Sequence, residues 1–293
     1  MSQVPIGVGD AEAQARFLAN NRDFLLEHPH LQDLLRTVVL RTPEAPPQAE
    51  VGRVLGLPDD DPARIAFQDK FIAGMVVFGL GRVIVDDFAE VITLSGNARG
   101  IGAYKILRGL YERLVTAAYI AKNRSEARPF AEDEAIKRWK LWQRMLELSP
   151  GLKDSLPPEK LATLEADYRS AQAKRPRGQK EWKKANLCDM AKGVDANLYS
   201  LYWACYLEPT FHTHATSFGL GARFRRSDEG TNAYQATTEK EARKALRLAH
   251  LLVLRLLTLH NDYFKLGLDD KIRPRFVAFQ KIWDGPATHT DGG

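Results

Sequence analysis

"HLLVLRLLTLHNDYF", residues 250–264, is the stretch that decides the fold. Leucine or valine occupies positions 251–254, 256, 257 and 259, so a helix built from it is apolar on almost every side. Such a helix cannot lie on a surface; it is central to a set of packed helices. Upstream, "TTEKEARK" (237–244) supplies a start: Thr238 can cap, and Glu239 and Glu241 suit the positive end of the helix dipole. Gly267 supplies the stop. Two residues break the apolar run, Arg255 and His260, and both need partners.

Working outward, the next most apolar run is "FIAGMVVFGLGRVIV", residues 71–85. A membrane-spanning helix needs about 20 apolar residues. This one is shorter, contains Arg82 and runs into Asp86 and Asp87, so it reads as another core helix. Helical spacing of apolar residues also predicts helices over about 63–97, 100–124, 131–148 and 158–173. Further helices are expected around 185–207 and 274–283, with a restart at Glu208-Pro209. Residues 10–40 give two short helical patterns interrupted at Pro29. "SGNARG" (95–100) reads as a turn, and 218–232 as a loop. No alternation of strand period is sustained and no fixed-length repeat occurs.

The expected fold is therefore an all-α multi-helix bundle with long central helices and a small N-terminal helical appendage. The appendage takes residues 1–45, a proline-rich linker 46–62, the main bundle 63–285 and a frayed tail 286–293. Composition agrees with an ordinary globular chain: 293 residues, 44% hydrophobic and 27% charged. Two cysteines, Cys188 and Cys205, do not make a disulfide framework. The start, "MSQVPIGVGDAEAQ", lacks the basic and apolar regions of a signal peptide, so a cytoplasmic, non-membrane protein is expected. A net charge of +5 permits an anionic partner without demanding one.

Four groups of residues could carry chemistry. The first is Arg255 with His260. Arg can neutralise a phosphate in a transition state and His can move a proton. The spacing is unspecific, since it recurs in kind at Arg22 with His28 and Arg243 with His250. Five helical positions also turn the two side chains about 140° apart, so they meet most easily across a homodimer. The second is Arg108 with Glu112, four apart on one helix face beside Tyr104, Val115 and Tyr119.

The third is the aromatic segment "YSLYWACYLEPTFHTHATSFG" (199–219), with His212 and His214. In a helix these two histidines diverge and cannot share a metal, whereas in an extended segment they could. No paired Glu-x-x-His set is present, so no metal and no cofactor is expected. The fourth is the basic loop Lys174, Arg175, Arg177, Lys180, Trp182, Lys183 and Lys184, joined by Arg223, Arg225 and Arg226. Cations with an interleaved aromatic suit phosphate contact and base stacking, although such runs are often only solvated surface. The glycine clusters "GNARGIG" and "GLGAR" lack the strand–turn–helix setting of a phosphate loop.

Two resemblances follow from these residues. "RLLTLH" (255–260) resembles the R-x4-6-H element of HEPN ribonucleases, in which two protomers form one metal-independent RNA-cleaving site. The family usually has a polar residue after the Arg, whereas Leu256 stands here. More closely, "LRGLYERLVTAAYI" followed by "ANLCDMAKGVDANLYSLYWACYLEPTFHTHAT" resembles an uncharacterised bacterial all-helical family, a domain of unknown function. That family has an Arg-x3-Glu helix and a Tyr-rich helix ending in Ser/Thr-x3-His. Arg108 and Glu112 match the first element; Tyr199, Tyr202, Thr210 and His214 match the second. The resemblance covers about residues 90–265.

Together these imply a HEPN-like, metal-independent ribonuclease or RNA-binding protein in a toxin or phage-defence setting. Arg108, Glu112, His214, Arg255 and His260 would converge between the central helices. The competing expectation is a non-enzymatic helical interaction or regulatory module whose polar residues form a buried network. A metal-dependent helical-bundle enzyme is the third.

Overall fold

The computed structural model describes residues 11–41, 46–155, 157–176, 178–179, 181–183, 185–213, 217–221, 224–226, 232–234 and 239–284. The fold is all-α. Helices α1 (Ala11–Asn20), α2 (Arg22–Leu35) and α3 (Gln48–Leu55) precede two long ones, α4 (Pro62–Gly96) and α5 (Gly100–Lys122). Helices α6 (Ala127–Leu148) and α7 (Pro158–Lys174) follow, then the short α8 (Leu187–Val194) and α9 (Ala196–Ser200). A π-helical turn, Trp203–Leu207, leads directly into α10 (Glu208–Thr213). After α11 (Ser217–Gly221) come strands β1 (Phe224–Arg226) and β2 (Asn232–Tyr234), then α12 (Glu239–Phe264) and α13 (Asp269–Asp284).

The described contacts divide into two compact units. Unit 1 is Met1–Glu44, Phe78–Ala118 and Ala191–Gly293; unit 2 is Ala45–Val77 and Tyr119–Met190.

Unit 1 is built around α12. Leu252, Val253, Leu254, Leu256 and Leu257 are all fully buried, as the continuous apolar run requires. Burying each Leu contributes about 2 kcal/mol. From α5, Tyr104, Leu107, Tyr111 and Leu114 recur at three- and four-residue spacing and are buried on one stripe. From α4, Ile84, Phe88 and Val91 do the same. Gly81 lets α4 come close to α12, because an added Cβ there would lie 2.3 Å from the His260 Nε2. The turn between α4 and α5 closes with Ala98 in the left-handed region (φ 51°) and with the Arg99 amide donating to the Leu94 carbonyl. This is a Schellman-type stop.

In unit 2, α6 packs on α7, with Trp139 stacked on Tyr168 at 5.7 Å. Arg128 of α6 reaches Gln68 and Asp69 at the start of α4.

Three local features differ from the sequence reading. The first break falls at Asn21, and α2 runs straight through Pro29. Phe24 and Leu31, one on each side of Pro29, are both fully buried. Their packing outweighs the cost of an interior proline, about 3 kcal/mol. A short helix, α3, forms inside the proline-rich 46–62 stretch. Within residues 218–232, expected as loop, α11 reaches Gly221 and residues 224–226 pair antiparallel with 232–234, Phe224 opposite Tyr234.

Among the described residues, no helix is long and apolar enough to cross a membrane.

Candidate functional site

Tyr104, Arg108 and Glu112 lie one above another on α5, as their four-residue spacing demands. What the sequence does not reveal is the surface they meet. The π-helical turn 203–207 admits an extra residue into the helical path, a feature frequent at functional sites. It sets Tyr206 and Thr210 against Arg108. The Arg108 Nε donates to the Thr210 hydroxyl at 3.0 Å, and its Nη2 donates to the Tyr206 hydroxyl at 3.0 Å. The guanidinium carbon sits 4.5 Å from the Tyr206 ring centre, within cation–π range. Its carboxylate, Glu112, stands 3.7 Å off and is half exposed. Thus Arg108, itself 25% exposed, is held by neutral hydroxyls and an aromatic face and only loosely balanced by charge.

Next to it, the Tyr104 hydroxyl donates to Glu208 at 3.5 Å, and Lys244 of α12 pairs with Glu208 at 2.7 Å. His212 stacks on the Tyr104 ring at 5.7 Å. Burial, then the charges of Glu208 and Glu241, push the Tyr104 phenol well above its usual range, so it stays a neutral donor. Beneath, Tyr202 and Tyr206 stack at 5.3 Å, and the buried Tyr111 packs against both while donating to the Leu198 carbonyl at 2.7 Å. On the outside of the same segment, Trp203 is 61% exposed and packs against exposed Phe211 at 6.4 Å.

Arg255 and His260 are placed elsewhere. From Lys244 they are 11 and 16 residues further along α12, about 16 and 24 Å along the axis. Within the chain they also meet different helices. Arg255 lies over Phe276 of α13 at 5.5 Å, and its Nε is buried without a hydrogen-bond partner. His260 is fully buried, facing Gly81 of α4 and packed on Phe264 at 5.4 Å. The sequence-derived set therefore does not converge: Arg108 and Glu112 share a place, and Arg255 and His260 each go to their own. His214 lies outside the described residues.

The basic loop belongs to unit 2. Lys174 pairs with Glu132 at 2.7 Å. Arg175 forms a buried ion pair with Asp133, which also takes Lys137 at 2.8 Å. Burial alone would raise the Asp133 carboxyl, but hydrogen bonds from Lys137 and Arg175 outweigh it and hold the group below its usual range. Trp182 is buried, edge-on to Phe130 at 5.1 Å and to Tyr119 at 6.2 Å, with Lys183 over its ring at 5.4 Å. Arg177, Lys180, Lys184 and Arg223 lie outside the described residues, and Arg225 and Arg226 are described only as β1 backbone.

Sequence reading missed Tyr206, Glu208 and Lys244 as partners of the α5 stripe, and the exposed pair Trp203 and Phe211. It also missed Arg113 with Asp87, an ion pair at 2.5 Å. One signal was available for that pair. Gly109 sits one turn before Arg113, and a Cβ there would lie 2.6 Å from the guanidinium. Among the described residues, no group of three or more His, Cys, Asp or Glu is arranged to hold a metal.

Fold and cluster together define an all-helical protein with an arginine–tyrosine centre on paired helical segments. A family model matches residues 74–232, more than half the chain, and the chain belongs to that family, the Family of unknown function (DUF5677). The matched stretch holds Arg108, Glu112, Tyr206, Thr210 and His214, and ends before Arg255 and His260. No curated protein and no solved structure matches the chain.

Proposed function

We propose that the protein binds RNA at the Arg108 cluster and acts on it without a metal, in a cytoplasmic setting. One observation carries the reading. A part-exposed, incompletely neutralised guanidinium, Arg108 of α5, is held by Tyr206 and Thr210 of the same segment that turns Trp203 and Phe211 to solvent. Phosphate contact plus aromatic faces is the combination that holds single-stranded nucleic acid. A phosphate oxygen can replace the Tyr206 and Thr210 hydroxyls as acceptor for Arg108, and those hydroxyls then donate to it. In this reading the acid–base groups are His212 and His214 rather than His260. His260 is fully buried, which bars it from a substrate.

The test is fluorescence anisotropy with a labelled single-stranded RNA, together with a cleavage assay in chelator. Arg108→Ala should weaken binding about tenfold or more. Trp203→Ala should cost about 1–3 kcal/mol of binding. Cleavage should fall in His212→Ala and His214→Ala and persist in His260→Ala. Wild type and Arg108→Ala with equal affinity would refute the proposal.

A second reading has its own support: a non-enzymatic interaction module. Glu208 with Lys244 and Arg108 with its hydroxyls close a network within the chain, as a structural role would require. Exposed aromatics such as Trp203 are also typical anchors for protein partners. It is favoured if RNA does not bind while Tyr206→Phe lowers stability.

A further inference from the structure

We propose that the α6–α7 hairpin of unit 2 docks on a second copy of this chain, with α6 of each copy laid antiparallel over α7 of the other.

The apolar part of the surface is a stripe on α6. Leu141 is 62% exposed and Leu148 73%, and Met145 between them is exposed as well. Spacings of four and then three residues put the three side chains within about 60° of one another. Single exposed leucines are ordinary, but three large apolar side chains on two turns of one helix face make a contiguous patch. The stripe stays open although α6 packs on α7 through a different face, where Trp139 stacks on Tyr168. Beside it a groove of about 310 Å³ runs between the two helices, lined by Arg138, Glu159, Lys160, Thr163, Leu164 and Asp167. Leu164, the Thr163 methyl and the Lys160 stem give that groove apolar surface.

The charges select the occupant. The α6 edge of this face is basic, with Lys137, Lys140 and Arg144 exposed. The α7 edge carries Glu159 and Asp167, also exposed. A face that is basic along one side and acidic along the other complements itself when turned over. The two helices run antiparallel, since Glu132 meets Lys174 while Arg138, further along α6, meets Asp167, earlier in α7. A two-fold axis along the hairpin preserves these levels. It sets Leu141 and Met145 of one copy above the groove of the other, and Arg144 on the same edge as Glu159 of the other copy. The pair that Arg144 makes within its chain, to Glu147, is exposed on both sides and readily exchanged. Residues 137–148 of α6 and the width of two helices give a face of about 18 by 20 Å. That is small for a permanent interface, so association falls in the micromolar range.

The surface is independent of the Arg108 cluster and belongs to a different unit from Arg255 and His260. Analytical ultracentrifugation of the full chain from about 1 µM to about 1 mM should show a reversible monomer–dimer equilibrium. Leu141→Ser combined with Leu148→Ser should weaken it about tenfold or more. The melting temperature of that variant at about 1 µM should match wild type, because both side chains are exposed. Arg144→Glu alone and Glu159→Arg alone should each weaken association about tenfold, since like charges then face each other at both symmetric junctions. Mixed in equal amounts, these two variants should regain wild-type association, because each supplies the charge that the other lacks. A surface made for some other protein gives no such rescue. The proposal fails if the chain stays monomeric up to about 1 mM, beyond useful affinity. It fails equally if the dimer survives the double serine change, or if the mixture associates no better than either variant alone.

Discussion

Acid should unfold this protein through one ring. His250 is fully buried in unit 1, enclosed by Phe24 at 5.3 Å, Phe279 at 5.1 Å and Trp283 at 6.4 Å. The Trp283 indole N–H donates to its Nδ1 at 3.1 Å, so the neutral ring carries its proton on Nε2. Protonating Nδ1 would break that bond and place a charge in an aromatic cage. Burial first, then the neighbouring His28, push the His250 pKa down from 6.5 to about 4. Burial lowers His28 as well. The sign follows from where the proton binds better. The unfolded ring takes it up near pH 6.5 and the folded ring near 4, so stability is full above 6.5 and drains as pH falls towards 4. Between pH 7 and 4.5 that single group accounts for about 2.5 kcal/mol, at about 1.4 kcal/mol per unit. Asp87 acts oppositely, because burial raises its carboxyl against the pull of Arg113, and acid relieves part of that cost. The decisive quantity is therefore a difference between variants. His250→Gln keeps an acceptor for Trp283 and cannot titrate in this range. Urea unfolding midpoints from pH 7.5 to 4.5 should fall steeply for wild type and much less for His250→Gln. Parallel pH slopes for the two proteins would refute the reasoning.

Gly81→Ala should cost about 1–3 kcal/mol by thermal melting, because its methyl would meet the His260 ring at 2.3 Å, whereas Gly79→Ala, with open space around it, should be neutral or stabilising. Asp133→Ala leaves the buried Arg175 without its carboxylate and should destabilise unit 2 by about 3–5 kcal/mol, read by urea unfolding. Cys205 is buried and its thiol pushed up to about 12, so iodoacetamide should modify only Cys188 in the native protein and both cysteines in urea.

Local rules made much of the fold legible. The all-round apolar run 250–264 announced a central helix, and every Leu and Val from 252 to 257 is buried. The long helices at 62–96, 100–122 and 127–148 followed from apolar spacing and from the turn at 95–100. The misses came where distant packing overrode a local signal. Pro29 reads as a break, but Phe24 and Leu31 anchor both sides of it in one core. Residues 224–226 and 232–234 carry no sustained alternation, yet they pair because each supplies the other's backbone hydrogen bonds.

The candidate site divides in the same way. That Arg108 and Glu112 share a face is fixed by 3.6 residues per turn, and so is the divergence of Arg255 from His260. Which surfaces those faces meet is a long-range matter. Tyr206 and Thr210 stand 98 and 102 residues from Arg108, and Lys244 stands 36 from Glu208. No periodicity reaches that far; the contacts exist because buried stripes on α5 and α12 pack against the 198–213 segment. By itself the sequence determined the helices and the faces they offer. Only tertiary packing decided that Arg108 would be embraced by hydroxyls beside exposed aromatics, while His260 would be sealed against a glycine.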